Sequence, residues 1–320
     1  MYIDTALTPQ EVADILKISK STVYELIRRK EINSYRVGKK VRVDLKDVEA
    51  YKNKTKNIKT ISNDFTNTSG IMTSNTVFQS KDTLEKYSFV ISGQDAILDI
   101  LCRYLACYEE GMRALRSYEG SYNGIYALYC GKVQAATAHM WDGETKEYNV
   151  PYIKKMLPGT PAVIIRLVGR MTGFYVAKGN PKRIKDWNDF RRQDITMINR
   201  EKGSGTRILL DEHLRQMNIL GNQIKGYSRE CVSHLAVASI VARGGADLGM
   251  GNEKSCSQVD GVDFVPIKEE KYDMVIKKED INKPSTKAIM DILSSEEFRM
   301  EIQGIGGYNI SEMGKIIAET

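Results

Sequence analysis

The chain opens on a helical pattern. Residues 7–16 read Leu-Thr-Pro-Gln-Glu-Val-Ala-Asp-Ile-Leu, and Val12, Ala13, Ile15 and Leu16 fall on one helical face. Thr8 stands as N-cap, Pro9 takes the first helical position and Glu11 completes a capping box. A second short helix follows, capped by Ser19 or Ser21. It turns Val23, Leu26 and Ile27 inward and Lys20, Thr22, Arg28 and Arg29 outward. Residues 35–43 alternate about Gly38, which predicts a β-hairpin, and Leu45–Tyr51 predicts a short closing helix. Periodicity then disappears. Residues 54–85 read as a linker rich in Lys, Asn, Thr and Ser, with a short ordered piece expected near Ile71–Phe78.

From about residue 86 strands and helices alternate. Strands are expected at Tyr87–Ile91, Gln134–Ala138, Ala162–Leu167, Gly173–Ala177, Asp194–Ile198, Ala246–Met250, Phe264–Ile267 and Tyr272–Ile276. Helices are expected from Ser92-Gly93-Gln94-Asp95 to about Glu110, over Tyr122–Leu128, from Gly203-Ser204-Gly205-Thr206, over His234–Ala242, and at Thr286–Leu293 and Glu296–Gln303. This alternation predicts a doubly wound α/β architecture. A helix running into Gly131–Ala136 echoes one running into Gly244–Gly249, which suggests two lobes of like topology.

Composition adds class limits. With 42% hydrophobic and 28% charged residues there is material for a sizeable core. No apolar run reaches the ~18 residues of a membrane span. Met1–Thr5 lacks a basic stretch leading into an apolar one, so no secretory signal is expected. The five cysteines form no CxxC pair and the three histidines are far apart. Reduced thiols, a cytoplasmic location, and neither metal nor resident cofactor follow as expectations. Charge is more telling. Residues 1–60 hold 14 Lys and Arg against 8 Asp and Glu, and the rest of the chain holds 33 of each. The whole net charge of +6 therefore lies in the first fifth of the chain, as expected of a module that grips phosphate backbone.

The outward residues Lys20, Ser21, Thr22, Tyr24, Arg28 and Arg29, with Lys39, Lys40 and Arg42 on the hairpin, mix phosphate donors with groups able to reach base edges. Leu7–Ala13, Ser21-Thr22-Val23-Tyr24, Arg36-Val37-Gly38-Lys39 and Val41-Arg42-Val43 resemble the excisionase-type, MerR-related winged helix-turn-helix. The resemblance covers nearly all of residues 6–53 and implies binding of double-stranded DNA, as a homodimer. A DNA-binding domain is thus expected at residues 1–53.

In the larger part, small residues open three helices, at Ser92-Gly93-Gln94-Asp95, Gly203-Ser204-Gly205-Thr206-Arg207 and Ser233-His234. Helix N-termini suit anions, and each serine is equally suited to be a plain cap. These motifs, with Ala138–Asp142, Lys178-Gly179-Asn180-Pro181, Gly245–Gly249 and Gly306-Gly307-Tyr308, resemble the substrate-binding-protein-like domains related to molybdate- and tungstate-binding proteins. That resemblance implies a two-lobed type 2 periplasmic-binding fold over residues 86–320. Lobe one would come from about 86–172 and 270–320, and lobe two from about 173–265. The ligand would lie between the lobes, held by Ser92, Gly93, Gln94, Thr137, His139, Ser204, Gly205, Thr206, Arg207 and His234. Molybdate or tungstate suits such neutral donors. Asp95, Asp142 and Glu201 would repel a dianion unless they cap helices or pair with Arg200 and Arg207. Trp141 fits either an organic ligand or the core. No nucleophile–base set is visible, so a non-enzymatic, ligand-responsive regulator is expected. The alternatives are a sensor of a small organic ligand and a DNA-architectural accessory protein.

Overall fold

The computed structural model describes residues 6–29, 31–38, 40–58, 88–108 and 112–320. They fall into two compact units.

The first unit contains β1 (Ala6–Leu7), α1 (Pro9–Leu16), α2 (Lys20–Arg28), β2 (Tyr35–Val37), β3 (Lys40–Asp44) and α3 (Leu45–Ile58). The capping box at Thr8 and Glu11 is present, and Ser19 caps α2. Lys17 adopts φ 55°, ending α1 so that α2 can turn across it. The strands form one sheet in the order β1-β3-β2. Val12, Ala13, Val23, Leu26, Ile32, Val43 and Val48 make the core. Two expectations are corrected. Ile15 is exposed, since the first helix ends one residue later, at Leu16, and presents that position to solvent. The closing helix α3 passes Tyr51 and runs to Ile58, inside the stretch read as linker. The piece expected near Ile71–Phe78 lies outside the described residues.

The second unit opens with β4 (Ser88–Ser92), α4 (Ile97–Cys107), β5 (Arg113–Ser117), α5 (Ser121–Tyr129), β6 (Ala135–Ala138), α6 (Val150–Met156) and β7 (Ala162–Ala177). It continues with β8 (Asn199–Arg200), α7 (Gly205–Gln216), β9 (Glu230–Cys231), α8 (His234–Ala242), β10 (Leu248–Asn252) and β11 (Val262–Lys277). It closes with α9 (Pro284–Ser294), α10 (Glu296–Ile305), β12 (Tyr308–Asn309) and β13 (Ile316–Glu319). This is the expected two-lobed α/β domain.

One eight-stranded sheet, ordered β10-β7-β11-β6-β4-β5, runs through both lobes. Strands β7 and β11, 16 residues each, cross from one lobe to the other and pair antiparallel along their length. The other edge of β7 is covered in turn by β13, β12 and β10. Each crossover strand was expected as two separate strands. Arg166 and Arg170 interrupt the apolar pattern of β7, and Lys268-Glu269-Glu270-Lys271 that of β11, yet the backbone stays extended. The strand expected at Asp194–Ile198 is reduced to one bridge from Met197 to Leu248, and the short strand that forms is β8. The sequence pattern also missed β5, an edge strand with a charged residue at either end of its apolar pair.

The echo between halves has a structural counterpart. Helix α5 turns through Gly131 into β6, which pairs with the far end of β11. Helix α8 turns through Gly244 into β10, which pairs with the far end of β7. Lobe one packs α4, α9 and α10 on Ile91, Ile165, Leu167 and Met274. Lobe two packs α7 on Phe174, Phe190 and Met250, and α8 on Tyr175 and Ile198. Trp141, from the segment after β6, joins the lobe-two core. Its indole stacks on His213 at 4.3 Å, and Trp187 stacks on the other side at 4.0 Å. It is therefore part of the core. Among the described residues no helix is long and apolar enough to cross a membrane.

Candidate functional site

The lobes of the second unit face each other across a cavity of about 20 Å³. Its walls come from helix beginnings. Gly93, Gln94 and Asp95 lead into α4. Gly120 and Ser121 start α5, Ser204 and Gly205 start α7, and His234 is the first residue of α8. A helix beginning carries a partial positive charge and N–H groups that have no partner within the helix. Four such beginnings meet at one small space. Glu119, Thr137, His139, Arg170, Arg200 and Tyr272 complete the lining.

The buried charges are organised around Arg170. Its Nε donates to Glu270 at 2.5 Å, its terminal nitrogen pairs with Asp95, and its guanidinium lies 4.3 Å from the Tyr272 ring. Burial opposes the Arg170 charge, but Glu270 and Asp95 outweigh it and raise the pKa. Burial would likewise raise the Glu270 carboxyl, yet His139 and Arg170 hold it at about 2. His139 Nδ1 lies 2.9 Å from Glu270. Asp95 also accepts from the Ile97 N–H at 2.9 Å and the Tyr308 hydroxyl at 2.7 Å. Both carboxylates thus have every oxygen engaged. The two other acids of concern are accounted for as well. Asp142 accepts from the Thr145 and Glu144 N–H groups at 2.8 and 3.0 Å, and Glu201 pairs with Arg200 at 2.8 Å.

His234 stands apart. It is buried, its Nδ1 has no hydrogen-bond partner, and burial followed by Arg200 and Arg170 pushes its pKa well down. A neutral imidazole with an open nitrogen therefore sits in the cavity wall. Two hydrogen bonds join the lobes beside it. Arg200 donates to Gln94 Oε1 at 2.8 Å, and the Tyr122 N–H donates to the Gly203 carbonyl at 2.9 Å. Gly205 packs against the His139 ring so closely that a Cβ there would lie 2.7 Å from it. Only glycine lets α7 begin at this point.

Of the residues expected at the ligand, Gly93, Gln94, Thr137, His139, Ser204, Gly205 and His234 line the cavity. The Ser204 hydroxyl is engaged as the α7 cap: it accepts from the Arg207 N–H at 3.2 Å and donates to the Glu201 carbonyl at 2.9 Å. Three others do not line it. The Ser92 hydroxyl faces Gly124 beneath α5. Thr206 is buried one helical step beyond the cavity wall. Arg207 turns into lobe two, where it pairs with Asp211 at 2.9 Å and Glu230 at 3.0 Å and lies over Tyr227. A helix advances about 100° per residue, so only its first positions face the space it points at. Arg170 and Arg200 were missed. For Arg170 the clue was in the sequence: an arginine inside a run as apolar as Ala162–Ala177 has to be a paired, buried ion.

In the first unit, Lys20, Ser21, Tyr24, Arg28, Arg29 and Lys40 are exposed, and Thr22 and Arg42 are half-buried. The Ser21 and Thr22 hydroxyls each contact the Ser19 cap, at 2.7 and 2.8 Å. The Arg42 guanidinium donates to its neighbour's carbonyl at 3.0 Å. Lys39 lies outside the described residues. The outer face of α2 and one arm of the hairpin thus present cations and hydroxyls together, the arrangement a major-groove helix and a wing require.

Comparison with known proteins matches each unit to a family. The helix-turn-helix domain family matches residues 6–56, and the PBP superfamily domain matches residues 103–294. Protein YvgK of Bacillus subtilis (strain 168) is 38% identical over 318 residues, covering 99% of each chain. A protein of the ferredoxin 2Fe-2S gene 5′ region of Clostridium pasteurianum is 60% identical over 112 residues, 35% of this chain and 99% of its own length. Among solved structures, a phosphate ABC transporter substrate-binding protein with bound phosphate from Clostridium perfringens superposes with TM-score 0.53 at 17% identity, covering 69% of this chain and 98% of that one. The sulfate-binding protein SubI of Mycobacterium tuberculosis gives TM-score 0.52 at 14% identity, covering 69% and 86%. Both matched families are binding types. With helix N-termini lining an interlobe cavity, and with these matches, the chain belongs to the PBP superfamily and carries a helix-turn-helix domain ahead of its two-lobed binding domain.

Proposed function

We propose that this protein is a transcriptional regulator whose two-lobed domain senses a compact oxyanion, molybdate or tungstate, while the N-terminal unit holds DNA. The convergence of four helix N-termini on one small cavity carries this reading, because such ends bind anions through backbone N–H groups. The size supports it: about 20 Å³ suits a group a few atoms across better than a ring system. The pairing of Asp95 and Glu270 with Arg170, His139 and Tyr308 offsets their repulsion of an anion, and Glu119, which also lines the cavity, could accept a hydrogen bond from a protonated one. Two proteins of similar fold are described by an oxyanion, one with bound phosphate and one as sulfate-binding. Binding would favour the closed lobes by its differential affinity for them and so alter operator binding.

The test is a thermal-shift panel of molybdate, tungstate, sulfate, phosphate and small organic acids, followed by operator titrations with and without the stabilising compound. A ligand bound only by the native state raises the melting temperature, by about 2.7 kcal/mol of stability at a hundredfold excess over Kd. Molybdate or tungstate is expected to stabilise and phosphate to have little effect. Stabilisation by an organic acid alone would transfer the reading to an organic effector. DNA bending with no response to any compound would mark an architectural protein.

A further inference from the structure

The wall of the interlobe cavity is short of positive charge. Its two arginines are already engaged: Arg170 is shared by Asp95 and Glu270, and Arg200 pairs with Glu201. Glu119 brings a further carboxylate to the lining. Even with His139 counted as a cation on Glu270, the carboxylates outnumber the positive groups. The helix beginnings supply about half an elementary charge each. Four of them match a dianion and leave the surplus carboxylate uncompensated. Among the described residues, one ionisable side chain of this wall stands without a partner. His234 is 8% exposed, and its Nδ1 has no hydrogen bond. Gly251 keeps that nitrogen uncovered, since a Cβ there would lie 2.6 Å from it. The Tyr175 hydroxyl flanks the same point, but its proton is committed to the Asn252 carbonyl at 2.5 Å.

We propose that His234 takes up a proton when the anion binds, so that ion and proton enter the cavity together. The inference rests on the oxyanion reading of the cavity and deepens it. The ionisable groups around the ring are Arg170 and Tyr175 on β7, Arg200 on β8, His139 after β6 and Glu119 ahead of α5. Burial first, then Arg200, Arg170 and His139, hold the pKa of the ring well below 6.5, so it meets the ligand neutral. A dianion in the same space reverses the preference, because a nearby opposite charge favours the protonated form. The proton comes from solvent, and both ring nitrogens then carry hydrogen. The imidazolium adds a charge-assisted donor to the backbone N–H groups at the start of α8. Uptake on binding means that affinity falls as pH rises, by about tenfold per unit wherever the free ring is neutral and the bound ring is charged.

Calorimetric titration of the full chain with molybdate, in Hepes and in Tris at one pH slightly above neutral, tests the proposal. Molybdate holds no proton of its own at that pH, so any proton taken up goes to the protein. The two buffers differ in ionisation heat, and the difference in binding heat counts the protons. The wild type is expected to take up one proton per molybdate, with Kd rising about tenfold per pH unit. His234→Gln keeps a hydrogen-bonding side chain that cannot be charged. It is expected to take up no proton, to bind roughly tenfold more weakly and to lose the pH dependence. Should that variant fold poorly, NMR of the wild-type ring nitrogens gives the same answer, and three histidines give few signals. The His234 ring is expected to carry one N–H without molybdate and two with it. Binding without proton uptake, or a ring that stays neutral, overturns the proposal and leaves the oxyanion reading standing. Uptake that survives in His234→Gln also overturns it and moves the proton to Glu119 or His139. Failure of molybdate and tungstate to bind at all removes both readings.

Discussion

His213 shows how much one residue reports about its surroundings. Its ring lies between Trp141 and Trp187, and burial followed by the nearby Lys268 ammonium lowers its pKa to about 4 from 6.5. Between those values the unfolded chain binds the proton and the folded chain does not. Stability therefore falls as pH drops from 6.5 towards 4. His213→Phe keeps a flat ring in the stack and removes the titration. We expect the melting temperature of the variant to fall less over that interval, by the equivalent of roughly 1 kcal/mol after allowance for partial solvent screening. Parallel melting curves for the two proteins would remove His213 as the source. None of this was visible in the sequence, where His213 is a polar residue on a helix. Its setting depends on Trp141 arriving from the other lobe. His234 was easier to single out, because a serine cap followed by histidine already puts that ring at a helix start.

At the scale of elements, caps and small-residue turns carried the local information. Thr8 with Glu11, Ser204 and Ser233 mark helix starts whatever the tertiary fold, so α1, α7 and α8 were legible. Long-range pairing was not. Strands β7 and β11 hold their charges where the lobes meet, and those charges broke the hydrophobic pattern that would have shown single strands. One of those charges, Arg170, lines the cavity with Glu270 paired to it, so part of the site was hidden where the pattern failed. Helix α2 allows a prediction at this scale. Arg28 is exposed in its last turn, placed to meet phosphate. Arg28→Ala should weaken binding about equally across DNA sequences and lower the salt slope by about 1. A loss confined to one base position would make Arg28 a base reader instead.

For the whole molecule, the bond from Arg200 to Gln94 spans the lobes. A hydrogen bond of this kind stabilises by about 1 kcal/mol, enough to shift an open–closed equilibrium several-fold. Gln94→Ala should give a larger radius of gyration in X-ray scattering of the unliganded protein, and identical scattering would mean that closure depends on other contacts. The threading of β7 and β11 has one further consequence, for synthesis. Lobe one takes up the outer edge of β7 only when Ile316–Glu319 pair with it. Those residues leave the ribosome some 140 positions after β7 itself, and contacts so distant in sequence form slowly. The DNA-binding unit, complete within residues 6–58, emerges long before. A nascent chain can thus hold a folded DNA reader while the sensor is still unfinished and cannot yet close on a ligand.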